Sequence, residues 1–115
     1  MMDARNRIKK VKQRSRKMGV KSNLTTGWLR EKLKLTNCEV TGLPFDKENT
    51  NSPFYPSIDR VDSELGYTKD NCQLVVIIYN FAKSEYSVDV FHGWIKKFVE
   101  VYENNEVNMG KYLQD

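Results

Sequence analysis

The 115 residues contain only one histidine, two cysteines and three prolines. Two thiols, Cys38 and Cys72, cannot build a disulfide framework, nor alone supply the four ligands of a structural zinc site, so both read as small core residues. His92 stands beside Phe91 and Trp94 on an amphipathic pattern, which favours packing over catalysis. No apolar run approaches the roughly 20 residues needed to cross a bilayer, and the N-terminus is charged rather than apolar. A membrane anchor and a secretory signal are therefore not expected, and a cytoplasmic protein of one domain is.

Acid is scarce in the first third of the chain. Residues 1 to 34 hold twelve Lys and Arg against Asp3 and Glu31, a net of +10, which leaves −6 for residues 35 to 115 and +4 overall. A solvated extension is the bland reading of such a run. A nucleic-acid-facing element is the better one, because neutralising phosphates releases counterions and gives sequence-independent affinity. Residues 1–21 are accordingly expected to be a basic N-terminal DNA-binding arm carrying Arg5, Arg7, Lys9, Lys10, Lys12, Arg14, Arg16 and Lys17. Its pattern predicts a basic helix over 1–18 with a thin apolar stripe of Ile8, Val11 and Met18, stopped at Gly19.

Ser22 to Thr26 is rich in capping oxygens before a second predicted helix, 27–35, where Trp28, Leu29 and Leu33 are core candidates. Residues 36–45 read as a short strand or turn and 46–56 as a loop. Pro56 to Val61 alternates like a strand, Ser63-Glu64-Leu65-Gly66 supplies a reversal, and a second extended segment begins near Asn71. Leu74 to Ile78 is strand-like in its β-branched content. It nevertheless runs into Tyr79–Tyr86 without Gly or Pro, which favours a helix, and propensity leaves the choice open. Ser87 caps a final helix on which Phe91, Trp94, Ile95, Phe98, Val99 and Tyr102 form a stripe expected to face the core. Residues 104–115 read as a polar tail.

The polar residues Asp59-Arg60, Gly66, Asn71, Asn80 and Lys83 sit at spacings that core packing does not require. Together they resemble the ββα-metal motif of the HNH endonucleases, with Asp59-Arg60 where Asp-His is usual and Asn80-x-x-Lys83 at the close. Upstream, Cys38-Glu39-Val40-Thr41-Gly42 is similar to the Cys-x-x-Cys-Gly of zinc-stapled members, and Val76-Ile77-Ile78-Tyr79-Asn80 to their Cys-x-x-Cys-Asn. Thr41, Val76 and Tyr79 replace three of the four thiols, so no structural zinc is expected. The resemblance covers residues 36 to 84.

It implies an α+β fold: a ββα-metal, HNH-like hairpin-plus-helix core over residues 22–103, with two N-terminal helices and a C-terminal helix. It also implies a metal-dependent endonuclease acting on DNA, in a bacterial or phage-infected cytoplasm. Asp59 and Asn80 would hold Mg²⁺ or Mn²⁺, Asn71 would brace the hairpin, and Lys83 would face the phosphate. Alanine at Asp59 or Asn80 should then abolish cleavage and leave the fold intact. Arginine cannot accept a proton from water at neutral pH, so Arg60 is expected to clamp phosphate. The nucleophile would then be a metal-bound hydroxide, or a water activated by a nearby tyrosine, one of Tyr55, Tyr67, Tyr79 and Tyr86. The alternative is a catalytically inactive HNH-like DNA-binding module.

Overall fold

The computed structural model describes residues 3–104; Met1, Met2 and most of the expected polar tail lie outside it. Six elements follow in order: α1 (Ala4–Met18), α2 (Thr26–Lys32), β1 (Pro56–Arg60), β2 (Cys72–Val76), α3 (Ile77–Lys83) and α4 (Val88–Glu103). Among the described residues no helix is long and apolar enough to cross a membrane.

Asp3 caps α1 by accepting from the Asn6 N–H at 3.2 Å, and Gly19 ends it in the left-handed region at φ +69°. Ala4, Ile8, Val11 and Ser15 recur on one face of the helix and are buried. Ala4, Ile8 and Val11 pack into one core with Leu24, Leu29, Tyr67, Cys72 and Leu74. Residues 4–18 are thus packed against the rest of the chain through this face. The stripe that looked thin is wide enough because Ala4 and Ser15 extend it.

The strands pair antiparallel with Ile58 opposite Leu74 and Asp59 opposite Gln73. The open run Leu74 to Ile78 resolves as both alternatives: strand through Val76, then helix from Ile77. The helix starts without a side-chain cap, directly where the strand pairing stops. Between the strands the loop is held by Asn71, whose Nδ2 donates to Asp62 O and Gly66 O, each at 2.9 Å, while its Oδ1 accepts from Asp62 N at 3.0 Å. The same loop is pinned to the α1–α2 connection, where Tyr67 N donates to Lys21 O at 2.8 Å. Gly66 permits that approach, since a Cβ there would lie 2.1 Å from the Lys21 carbonyl oxygen.

A second core joins Cys38, Val75, Val76, Tyr79 and Phe91. Ser87 caps α4 as its sequence predicts, accepting from the Val90 N–H at 3.3 Å. The stripe of α4 departs from expectation. Phe91 is buried and Ile95 half-buried, but Trp94, Phe98 and Tyr102 are exposed, because α4 projects past the small body it was expected to brace. Those rings instead stack on one another along the helix, with centroids 5.5 to 6.4 Å apart from Phe91 to Tyr102.

Candidate active site

Alternation along β1 turns Ser57 and Asp59 toward α3 and places Ile58 and Arg60 on the other side. The Asp59 carboxylate is 1% exposed. Its Oδ1 lies 3.1 Å from Lys83 Nζ, and its Oδ2 accepts from Nε2 of Gln73, its cross-strand partner, at 3.1 Å. Lys83, equally buried, also donates to Arg60 O at 2.9 Å. A carboxylate and an ammonium so far from solvent are tolerated only because each is paired and hydrogen-bonded. One helical turn earlier, Asn80 Nδ2 donates to Ser57 Oγ at 2.8 Å and to Ile58 O at 3.2 Å. With both amide hydrogens committed, Oδ1 is left as the acceptor.

Around this pair lies a concavity of about 140 Å³ whose wall includes Asp59, Arg60, Asn80, Lys83, Arg14 and Tyr67. Arg60 donates through one terminal nitrogen to Leu65 O at 2.9 Å and lays its guanidinium 4.8 Å from the Tyr67 ring centroid. Arg14 reaches in from α1, its terminal nitrogen 3.3 Å from the Tyr67 hydroxyl. Ser84, the only described non-glycine at positive φ (51°), also lines the wall, a backbone conformation that costs about 1–3 kcal/mol.

The four tyrosines left unranked by the sequence now separate. Tyr67 alone lines the concavity. Tyr79 meets His92 Nε2 at 2.6 Å through its hydroxyl, and burial, then Asp59, then Cys38 push its phenol up to about 12. Tyr55 lies beneath the Arg7 guanidinium, and Tyr86 is exposed beside α4. His92 is exposed and bonds Tyr79, a packing role rather than a place in the site. Gln73 and Ser57 are the site residues that sequence reasoning missed, and Tyr67 was left unranked among four. Only the strand register, which sets Gln73 opposite Asp59, could have flagged one of them.

Asp59, Arg60, Asn80 and Lys83 are therefore brought together. Asn71 is not in the concavity; it is buried and braces the loop. The eight basic residues of α1 divide by helical spacing into two rows flanking the buried stripe. Arg7, Lys10 and Arg14 face a groove against α3, and Lys17 continues their row; Arg5, Lys9, Lys12 and Arg16 form the row away from it. Arg7 itself donates to Pro56 O at 2.9 Å, and burial lowers its pKa. If the groove carries nucleic acid, Lys10→Gln, Arg14→Gln and Lys17→Gln combined should reduce the slope of log K against log salt by up to about 2.7. The same change at Lys9, Lys12 and Arg16 should leave it nearly unaltered. Filter binding at several salt concentrations measures both.

Cys38 Sγ accepts from Thr41 N at 3.5 Å and Val76 N at 3.4 Å, tying the turn at residues 38–41 to the end of β2. Burial pushes this thiol up, but hydrogen bonds from Thr41, Val76 and Val40 outweigh it and the net shift is downward. Cys72 lies apart in the other core, where burial raises its thiol to about 12. Among the described residues no group of three or more His, Cys, Asp or Glu gathers. The donors at the concavity, one carboxylate and one amide oxygen, fit a hard divalent cation that keeps most of its water or takes oxygens from a substrate.

No family model matches the chain, and no curated protein matches it. Among solved structures it is similar to the rare-cutting HNH restriction endonuclease PacI, a structure described for its mechanism of DNA perturbation. The identity is 20%, 93% of this chain and 84% of that chain are covered, and the TM-score is 0.59. The antiparallel hairpin, the helix that follows it and the helices around them make this an α+β chain with an HNH-like ββα core.

Proposed function

We propose that the chain is a metal-dependent DNA endonuclease that hydrolyses phosphodiester bonds. The observation that carries this reading is the concavity itself: one buried carboxylate and one amide oxygen beside Arg14, Arg60 and Lys83, at the end of a basic groove. The HNH-like fold and the likeness to PacI support it. The setting that goes with it is a bacterial or phage-infected cytoplasm.

Asp59 Oδ2 and Asn80 Oδ1 would hold Mg²⁺ or Mn²⁺, which when bound stabilises the charge that develops on the phosphate and the leaving oxygen. Gln73 and Ser57 fix the two ligands in place. Lys83 holds Asp59 from the side opposite Gln73 and tempers its charge. Arg60, with one nitrogen anchored on Leu65 O, presents the rest of its fork to the scissile phosphate. The Tyr67 hydroxyl, accepting from Arg14, orients the attacking water.

A DNA-binding module without chemistry is the second reading. The engagement of Arg60 with Leu65 O and the Tyr67 ring favours it, since a stapled guanidinium can be purely structural. Cleavage of plasmid DNA with and without added Mg²⁺ or Mn²⁺ decides between the two. Binding without cleavage under either ion would remove the nuclease.

The same assay reads the role of Arg60. Arg60→Ala should lose about a hundredfold or more, whereas Arg60→Lys should retain part of the rate because it keeps the charge without the planar fork. Arg60→His should not exceed the parent, because the amide of Asn71 is turned to the loop backbone and does not line the concavity where it would have to orient an imidazole. Equal rates in all three variants would take Arg60 out of the mechanism.

A further inference from the structure

Phe81 is 73% exposed, the most solvent-facing large apolar side chain described, and it directly follows Asn80 on α3. Exposed phenylalanines are common singly and need no explanation by themselves. Here the surroundings supply one. The groove between α1 and α3, about 440 Å³, has Lys10 and Arg14 on one wall and Phe81 on the other, with Ser57 and Asn80 also lining it. Arg14, Ile58 and Asn80 line both this groove and the catalytic concavity, so the two are continuous. On its far side Phe81 borders a second concavity of about 500 Å³ with Ile78 and the loop 50–53, leaving the ring as a ridge with room on both sides.

From this we infer that Phe81 is a base-stacking residue: a nucleobase next to the scissile phosphate leaves its helical stack and lies against the ring, while Lys10 and Arg14 hold the neighbouring phosphates. Cations along a backbone path and an aromatic face beside it are the pairing that binds unstacked nucleic acid. The inference rests on the nuclease reading and deepens it by naming the substrate. Strands whose bases are already unpaired near the cut, single-stranded or mismatched, are preferred, because the cost of unstacking is spared.

Affinity for a fluorescein-labelled single-stranded oligonucleotide, measured with the full chain in the presence of EDTA, tests it. Phe81→Ala and Phe81→Leu should both weaken binding roughly 5- to 150-fold. Phe81→Tyr and Phe81→Trp should stay near the parent, and the salt slope should not move in any of the four. Leucine as good as phenylalanine would replace stacking with plain apolar contact and overturn the proposal. So would unchanged binding in Phe81→Ala while the parent binds and cleaves. A change in the sedimentation of the free protein on Phe81→Ala would assign the ring to protein association instead, again against the proposal. A parent that neither binds nor cleaves DNA is the separate result that removes the nuclease reading beneath it.

Discussion

Asp59→Asn is expected to lower cleavage dependent on Mg²⁺ or Mn²⁺ by about a thousandfold, roughly 4 kcal/mol of transition-state stabilisation, while the protein remains folded. Asparagine keeps the shape and can still accept from Lys83, but it loses the anionic oxygen a hard cation needs. Asp59→Ala should differ from it in kind. The expectation from sequence was an intact fold for the alanine variant, but Lys83 is 1% exposed and its ammonium depends on this carboxylate. Removing one member of a buried pair typically costs about 3–5 kcal/mol, a large fraction of the stability of a domain this size. Rates on plasmid substrate, read beside urea unfolding of the same preparations, separate the two effects. An asparagine variant that cleaves at the parent rate would remove Asp59 from the site.

The mirror-image substitution, Lys83→Met, should destabilise the chain by about 3–5 kcal/mol in urea unfolding, since Asp59 then keeps only the Gln73 amide. Adding Asp59→Leu to it should recover much of the loss, because the pair costs more to break than to replace by apolar side chains. A divalent ion supplies another test. In the parent, Lys83 already offsets the Asp59 charge and repels a second cation, so Mg²⁺ or Mn²⁺ without DNA should raise unfolding stability little. In Lys83→Met the ion meets an unbalanced carboxylate and should stabilise more strongly. The same ion response in parent and variant would show that Lys83 does not govern cation binding at Asp59.

The set Asp59, Asn80, Lys83 was legible through its resemblance to the ββα-metal motif, and the structure brings all three to one concavity. The bracing role of Asn71 was likewise implied by that resemblance, and its side chain bonds the backbone of the loop at Asp62 and Gly66. Which of the four tyrosines joins them was not legible, since the place of Tyr67 depends on the docking of the loop against residues 21–23, a contact across more than forty positions that no local pattern encodes. The packing of α1 was not legible for a related reason. Eight cations around a helix dominate its composition, yet three small or branched side chains on one face suffice to bury it once α2 and the hairpin are present. The α4 stripe erred the other way. Its periodicity is that of a packed helix, but periodicity reports which face is apolar and not whether the rest of the chain is large enough to cover it.

Adjacent residues of β2 serve different cores: Leu74 belongs with α1 and α2, whereas Val75 and Val76 belong with α3 and α4. The body thus has two apolar clusters that meet at one strand, with Phe45 packed against both. The cluster containing Leu74 seats α1, one wall of the basic groove, and the one containing Val75 and Val76 seats α3, the other wall, together with the start of α4. One strand therefore sets the separation of the groove's two walls, and a substitution on either side of β2 reaches the groove through the helix it seats.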